Sequence, residues 1–211
     1  MIRVGIADDH VIVRSGLRQF LSEHVDLRVA GEAGSAAEAI ALVRSTQVDV
    51  LLLDLSMPGQ NGSDAIPAIR SQAPATGILV LSGYPAELYA PHLIRSGANG
   101  YLNKECPPSE IVEAIRTVAR GRSYLPASLA HLGNMPLAAR AAEGPPHQKL
   151  SEREFQVLLR LARGAAAGQV AQDMQLSVKT ISTYRSRIFQ KMGLSSNTDL
   201  TYYALKNKLI D

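Results

Sequence analysis

The chain has 211 residues, of which 46% are hydrophobic and 19% charged, with a formal net charge of +3 and a single cysteine, Cys106. Such values suit one or two ordinary globular domains, and no apolar run approaches the ~20 residues that span a bilayer, so no membrane association is expected. One cysteine excludes an internal disulfide framework, and no basic-then-apolar leader opens the chain, so a cytoplasmic setting is expected. The charge is uneven: residues 1–120 carry 10 Lys and Arg against 13 Asp and Glu, while 149–211 carry 10 against 5. A mildly acidic body joined to a basic tail piece is a pattern that often meets polyanions.

Residues 1–120 alternate between two periods. Short apolar runs at Ile2–Ala7, Leu27–Ala30, Val48–Leu53, Gly77–Leu81 and Gly100–Leu102 read as strands. Between them lie segments of helical spacing, such as Ala36/Ala39/Ile40/Val43 and Ile111/Ala114/Ile115/Val118. Five strand–helix repeats predict a parallel sheet covered on both faces, with right-handed crossovers.

In an open parallel sheet, ligands bind at the carboxyl ends of the strands where the strand order reverses. Four such ends carry polar chemistry: Asp8-Asp9 after the first strand, Asp54 after the third, Ser82 after the fourth and Lys104 after the fifth. A carboxylate at the tip of the buried run VDVLLLD costs free energy and needs a reason. Three converging carboxylates would repel one another unless a divalent cation sits among them. Oxygen donors without His or Cys favour Mg2+, with the Ser56 backbone carbonyl as a further ligand. Asp54 then becomes a nucleophile for phosphoryl transfer, Lys104 a partner for a phosphate oxygen, and the Ser82 hydroxyl a hydrogen-bond donor. Met57-Pro58-Gly59 would build the tight loop beside the site. Taken alone, Asp8-Asp9 would serve equally well to cap the helix starting near Val11.

These residues resemble a known family. ADDH, LLLDLSMPGQNG, LSG and GYLNK are similar to the receiver domain of bacterial response regulators. The resemblance implies a flavodoxin-like (βα)5 fold, phosphotransfer from a sensor histidine kinase, and a switch formed by Ser82 and Tyr101. Pro91 departs from the pattern: it falls inside the expected fourth helix, Ala86–Ser96, which should therefore start late or kink. A Mg2+-dependent phosphohydrolase of the haloacid-dehalogenase type is the rival. Such enzymes need a second Asp two residues after the nucleophile, where this chain has Ser56.

From 121 to 148 the sequence mixes Pro, Gly and Ala without a period and reads as a linker, partly ordered near Tyr124–Leu125. Beyond Leu150 all segments read as helix. Ser151 with Glu154 is a capping-box signature, and Ser177 is placed to cap a helix from Val178 to Met192 that Gly193 ends. Val178, Ile181, Ile188 and Met192 form its apolar stripe. Lys179, Thr180, Ser182, Thr183, Tyr184, Ser186, Arg187 and Lys191 are the candidate contacts to double-stranded DNA, short polar groups for base edges and cations for phosphates. A plain helical bundle with a charged face would share much of this pattern.

LSEREFQVLLRLARG and KMGLSS resemble the LuxR/NarL-type output domain, and KTISTYRSR looks closest to its BvgA and EvgA branch. The whole then resembles the NarL/FixJ architecture: receiver at 1–120, linker at 121–148, helix-turn-helix domain at 149–211. The resemblance implies a homodimer paired through the last helix, with Leu200, Tyr203 and Ala204 as contacts, and RNA polymerase as a candidate partner. Ala165-Ala166-Ala167-Gly168 departs from the family, which commonly has capping and phosphate-touching side chains there. The expected function is a transcription factor controlled by phosphorylation of Asp54 and not an enzyme. A DNA-binding regulator whose receiver is never phosphorylated is the alternative.

Overall fold

The computed structural model describes residues 1–57, 62–133 and 145–210, and the chain divides into two compact units, Met1–Ala142 and Glu143–Asp211. In the first unit strand and helix alternate: β1 (Ile2–Ala7), α1 (Val11–Ser22), β2 (Leu27–Ala33), α2 (Ala36–Ser45), β3 (Val50–Asp54), α3 (Gly62–Gln72), β4 (Gly77–Ser82), α4 (Ala86–Ser96), β5 (Gly100–Asn103) and α5 (Pro108–Ala119). All five strands are parallel, in the order β2-β1-β3-β4-β5. The chain turns to one side after β1 and to the other after β3, so the order reverses between them. This is the expected doubly wound α/β fold.

Every residue of β3 and β4 is buried, which is why both read as unbroken apolar runs rather than alternating ones. Ile6, Leu52, Leu79, Leu102, Ile115 and Val118 belong to one core cluster between the sheet and its helices. Each such side chain contributes about 1.5–3 kcal/mol on burial. Asp49, the acid just before β3, receives the Arg3 amide at 2.7 Å and the Arg3 guanidinium at 2.6 Å, fixing β1 against β3 at the end away from the site. Asp26 takes both arms of Arg116 at 2.8 Å and ties α5 to the turn before β2.

The edge of β5 is covered. The Tyr101 amide donates to the Tyr124 carbonyl at 3.0 Å and the Tyr124 amide to the Asn99 carbonyl at 3.1 Å. A Cβ on Gly100 would stand 2.8 Å from that Tyr124 carbonyl oxygen, so only glycine permits the approach. Part of the stretch read as linker is therefore ordered, and a 3-10 turn (Ala127–Leu129) and α6 (Ala130–Gly133) follow, with Leu129 and Leu132 buried.

Helix α4 does not start late: it begins at Ala86 and carries Pro91 inside. Burial of Tyr89, Ala90, Leu93 and Ile94 offsets the roughly 3 kcal/mol that an interior proline costs. Pro67 sits inside α3 in the same way.

In the second unit a 3-10 turn (Pro146–Lys149) leads into α7 (Glu152–Ala162), α8 (Ala167–Asp173), α9 (Val178–Met192) and α10 (Asn197–Lys206). The Ser151 and Glu154 capping box is present, and Ser177 Oγ accepts the Thr180 amide. Ser196 and Asp199 form a second capping box ahead of α10. α9 ends at Gly193, whose φ of 66° suits a residue without Cβ. α8 has Ala166 as its N-cap residue and so no side-chain cap, in line with the Ala-Gly run at 165–168.

Candidate functional site

Registry places the polar strand ends side by side. Ala7 pairs with Leu53, Asp54 with Leu81 and Ser82 with Asn103, so Asp8, Asp54, Ser82 and Lys104 crowd the same edge of the sheet. Lys104 Nζ lies 2.9 Å from Asp8 Oδ2 and 2.9 Å from Asp54 Oδ2, bridging the point where the strand order reverses. Its contact with Asp54 is ionic without the alignment of a hydrogen bond. Asp54 Oδ2 is thus a buried oxygen lacking one, as is Asp9 Oδ1. Asp54 Oδ1 accepts the Ser56 amide at 3.1 Å.

The electrostatics are mixed. Burial pushes the Asp54 carboxyl above the ordinary range, with the Asp8 charge adding to it, against the opposing Ser56 amide and Lys104. Burial also acts on Asp8, but Lys104 and the His10 amide outweigh it and hold that carboxyl below its usual value. For Lys104 burial is outweighed by pairing with Asp8 and Asp54, so the ammonium stays charged. The set Asp8, Asp9, His10 and Asp54 offers ligand atoms that all lie within 4.8 Å of one another. Two buried oxygens lacking a hydrogen bond among three carboxylates fit a hard divalent cation.

A second set of contacts adjoins the first. Ser82 is fully buried, and its Oγ accepts the Tyr84 amide at 3.2 Å. Tyr101, 2% exposed, donates its hydroxyl to the Tyr84 carbonyl at 2.8 Å. The Tyr84 ring stacks on Tyr89 of α4 with centroids 4.8 Å apart.

In the helical unit α9 turns Lys179, Ser182, Thr183, Ser186 and Arg187 outward, while Ile181, Ile188 and Met192 are buried. Thr183 Oγ1 donates to the Lys179 carbonyl and Ser186 Oγ to the Ser182 carbonyl. Arg185 is held by Asn197 at 3.0 Å and lies 5.0 Å over the Phe189 ring.

Comparison with known proteins agrees with both halves. Residues 4–116 match the family described as "Response regulator receiver domain" and 148–204 that described as "Bacterial regulatory proteins, luxR family". The chain belongs to the response regulators. It is 36% identical to the oxygen regulatory protein NreC of Staphylococcus carnosus, over 100% of both chains. It is 33% identical to the response regulator UvrY of Escherichia coli, over 99% of this chain and 96% of that one. Among solved structures it is similar to RcsB of Salmonella enterica serovar Typhimurium bound to promoter rprA in the presence of phosphomimetic BeF3-. That match has 28% identity and TM-score 0.60, covering 96% of this chain and 97% of that one.

Within this response regulator several residues stand differently from their sequence-based placing. His10, passed over because the donor set was read as all oxygen, has its Nδ1 3.1 Å from Asp8 Oδ1 and 2.9 Å from Asp9 Oδ1. Its place directly after Asp8-Asp9 was the available signal. Val178 is 52% exposed and stands off the apolar stripe, although Ile181 in the same first turn of α9 is fully buried. Lys191 Nζ lies 2.6 Å from the buried Glu154 carboxylate, while its own side chain stays 41% exposed. Thr180 is drawn into the Ser177 cap, their hydroxyl oxygens 2.8 Å apart.

The face of α10 is also reversed. Leu200 and Ala204 are fully buried and Tyr203 meets His147 Nδ1 at 2.8 Å, whereas Tyr202 and Leu205 are exposed. The apolar stripe of the helix packs on its own unit and so is not free to meet a second chain. Pro58 and Gly59 of the expected site loop lie outside the described residues.

Proposed function

We propose that this response regulator is a phosphorylation-controlled, sequence-specific DNA-binding transcription factor in which Asp54 is the phosphoacceptor. The carrying observation is Lys104, which crosses from the end of β5 to touch Asp8 and Asp54 at 2.9 Å each. An ammonium paired with a buried carboxylate is set to follow that charge when it moves onto a phosphoryl group. A carboxylate oxygen of Asp54 attacks the phosphorus of a phosphohistidine on a sensor histidine kinase. The P–N bond breaks, its electron pair leaves with the imidazole, and an acyl phosphate forms. Asp8, Asp9, Asp54 and the Ser56 carbonyl are the residues that would hold Mg2+. Bound there, the ion supplies charge neutralisation for the phosphoryl oxygens.

The new charge of about −1.5 to −2 acts through its preference between two receiver states. Ser82, whose oxygen already accepts the Tyr84 amide, keeps its hydroxyl proton to donate to the phosphoryl group. Moving Ser82 would disturb Tyr84 and with it the Tyr101 contact. Receiver, linker and output domain are assigned to 1–120, 121–148 and 149–211.

For DNA, Lys179 and Arg187 are assigned to phosphates, Tyr184 to a phosphate through its hydroxyl, and Ser182, Thr183 and Ser186 to base edges. Thr183 and Ser186 spend their protons on the helix backbone, so they would accept from base amino groups. The regulator is assigned to homodimers, with Tyr202 and Leu205 now the candidate contacts, reading half-sites about 34–36 Å apart or a multiple of that. RNA polymerase is a further candidate partner. No catalytic role is assigned: exposed Ser56 stands where a phosphohydrolase needs its second acid.

The test is incubation with acetyl phosphate and Mg2+, followed by intact-mass analysis and DNA-binding titration on sites selected from random sequence. A phosphoryl adduct on wild type, absent in Asp54→Asn, with tighter DNA binding, supports the proposal. An adduct that leaves DNA affinity unchanged favours a regulator whose receiver state does not control binding.

A further inference from the structure

Arg185 is exposed on α9, yet its guanidinium is fixed at two points. Nε donates to Asn197 Oδ1 at the start of α10, 3.0 Å away, and the guanidinium carbon lies 5.0 Å over the ring of Phe189, one turn further along α9. A long exposed side chain ordinarily samples many rotamers, and this one has given up part of that freedom before any ligand arrives. Among the described residues Nη1 and Nη2 make no hydrogen bond and no ion pair, and α9 itself carries no Asp or Glu. The two nitrogens that can fork onto one anion are therefore held together and left open.

The angular position of Arg185 gives the fork a direction. Counted at about 100° per residue from Ser182, Ser186 lies at about +40°, while Lys179 and Arg187 lie at about +60° and +140°. Arg185 lies at about −60°, on the other flank, between the exposed serines and the buried stripe of Ile181, Ile188 and Met192. A helix lying in the major groove has a phosphate backbone on each side of it. Lys179 and Arg187 serve one side only.

We propose that Arg185, positioned by Asn197, grips the phosphate backbone on the opposite wall of the major groove from the one that Lys179 and Arg187 meet. The inference rests on the reading of α9 as the helix that enters DNA. Phosphate oxygens take both Nη groups at once, and no new rotamer has to be frozen on binding, so less of the interaction is lost to ordering. Lysine at this position would carry the charge without the planar fork. Asn197 lies one residue inside α10, so replacing it leaves the Ser196–Asp199 capping box whole.

The test is titration of the full chain, across a series of salt concentrations, onto a duplex that wild type enriches from random sequence and onto its scrambled counterpart. Arg185→Ala should bind both duplexes about tenfold more weakly, with the salt slope lower by about 1 per bound protomer. Asn197→Ala keeps the charge, so its slope should equal that of wild type while its affinity falls about threefold. Arg185→Lys should likewise keep the slope and lose affinity. All three variants should melt within about 2 °C of wild type, because both residues are exposed. An unchanged slope in Arg185→Ala makes the residue a staple between α9 and α10 and overturns the proposal, as does a loss confined to the enriched duplex. Asn197→Ala binding as tightly as wild type overturns the positioning role. A wild type that enriches no duplex overturns the reading of α9 itself, whatever the variants do.

Discussion

Tyr101 and Ser82 hold the same residue from opposite sides: the Tyr101 hydroxyl donates to the Tyr84 carbonyl at 2.8 Å, and Ser82 Oγ accepts the Tyr84 amide at 3.2 Å. One peptide segment therefore senses both groups. Tyr101→Phe should cost about 1 kcal/mol, the worth of a typical hydrogen bond, in urea denaturation. Phosphorylation by acetyl phosphate should persist in that variant while the accompanying gain in DNA affinity shrinks. An undiminished gain would remove Tyr101 from the switch.

Lys104 is the sole cation recorded against Asp54 among the described residues, and its side chain is 30% exposed. Lys104→Met leaves two buried carboxylates without it, which should destabilise the receiver by about 1–3 kcal/mol, less than a fully buried pair. Added Mg2+ should raise its melting temperature more than that of wild type. Asp54→Asn should do the opposite. Burial raises the folded Asp54 pKa, so the folded state holds this proton more tightly than the unfolded chain does. That contribution is full below about pH 4 and is lost as pH rises through the folded value. Asp54→Asn should thus be more stable than wild type at pH 7, with the gap closing towards pH 4 in paired melting curves.

Asp26 behaves in the reverse sense. The Arg116 guanidinium holds its carboxyl at about 2. The pair therefore contributes above about pH 4 and its contribution is lost as pH falls towards 2. Asp26→Asn should be less stable than wild type at pH 6 and converge with it in acid.

The two faces of α10 should separate by assay. Leu200→Ala removes a fully buried side chain and should cost about 2–5 kcal/mol. Tyr202→Ala with Leu205→Ala should change stability by less than about 0.5 kcal/mol each, since both are exposed. In sedimentation and DNA titration the double variant should lose dimer occupancy. Dimers as strong as wild type would exclude this face.

Lys191 and Arg187 differ likewise. Lys191→Met should destabilise the output domain, because Glu154 is 2% exposed and loses the cation at 2.6 Å. Arg187→Ala should leave the melting temperature alone but weaken DNA binding and lower the salt slope by about 1. Equal salt slopes for Arg187→Ala and wild type would remove Arg187 from the phosphate contacts.

Much of this was legible in one dimension. Unbroken runs such as Val50–Leu53 announce a strand covered on both faces, and helical spacing between runs announces the crossovers. Once parallel order is inferred, residues that end strands must share an edge, so Asp8, Asp54, Ser82 and Lys104 could be grouped without coordinates. Ser151 with Glu154, and Ser177 ahead of Val178, are local signals because a cap is made within one turn.

What local pattern could not decide was which of two faces meets which neighbour. Leu200, Tyr203 and Ala204 form the apolar stripe of α10, and a stripe is equally fit for a core or a partner. Only the packing of α7 and α10 showed that their own unit uses it. Lys191 has the charge of a phosphate contact, and its pairing with Glu154, 37 positions away, is invisible until the helices are assembled. The direction of the His10 ring is likewise a matter of assembly, set by carboxylates that β1 delivers to the sheet edge. Composition and periodicity determined the order of strands and helices and which polar residues end the strands, because backbone hydrogen bonding and burial impose fixed periods. Tertiary structure decided which charges are spent internally and which remain for a ligand, because pairing depends on distances that cross the chain.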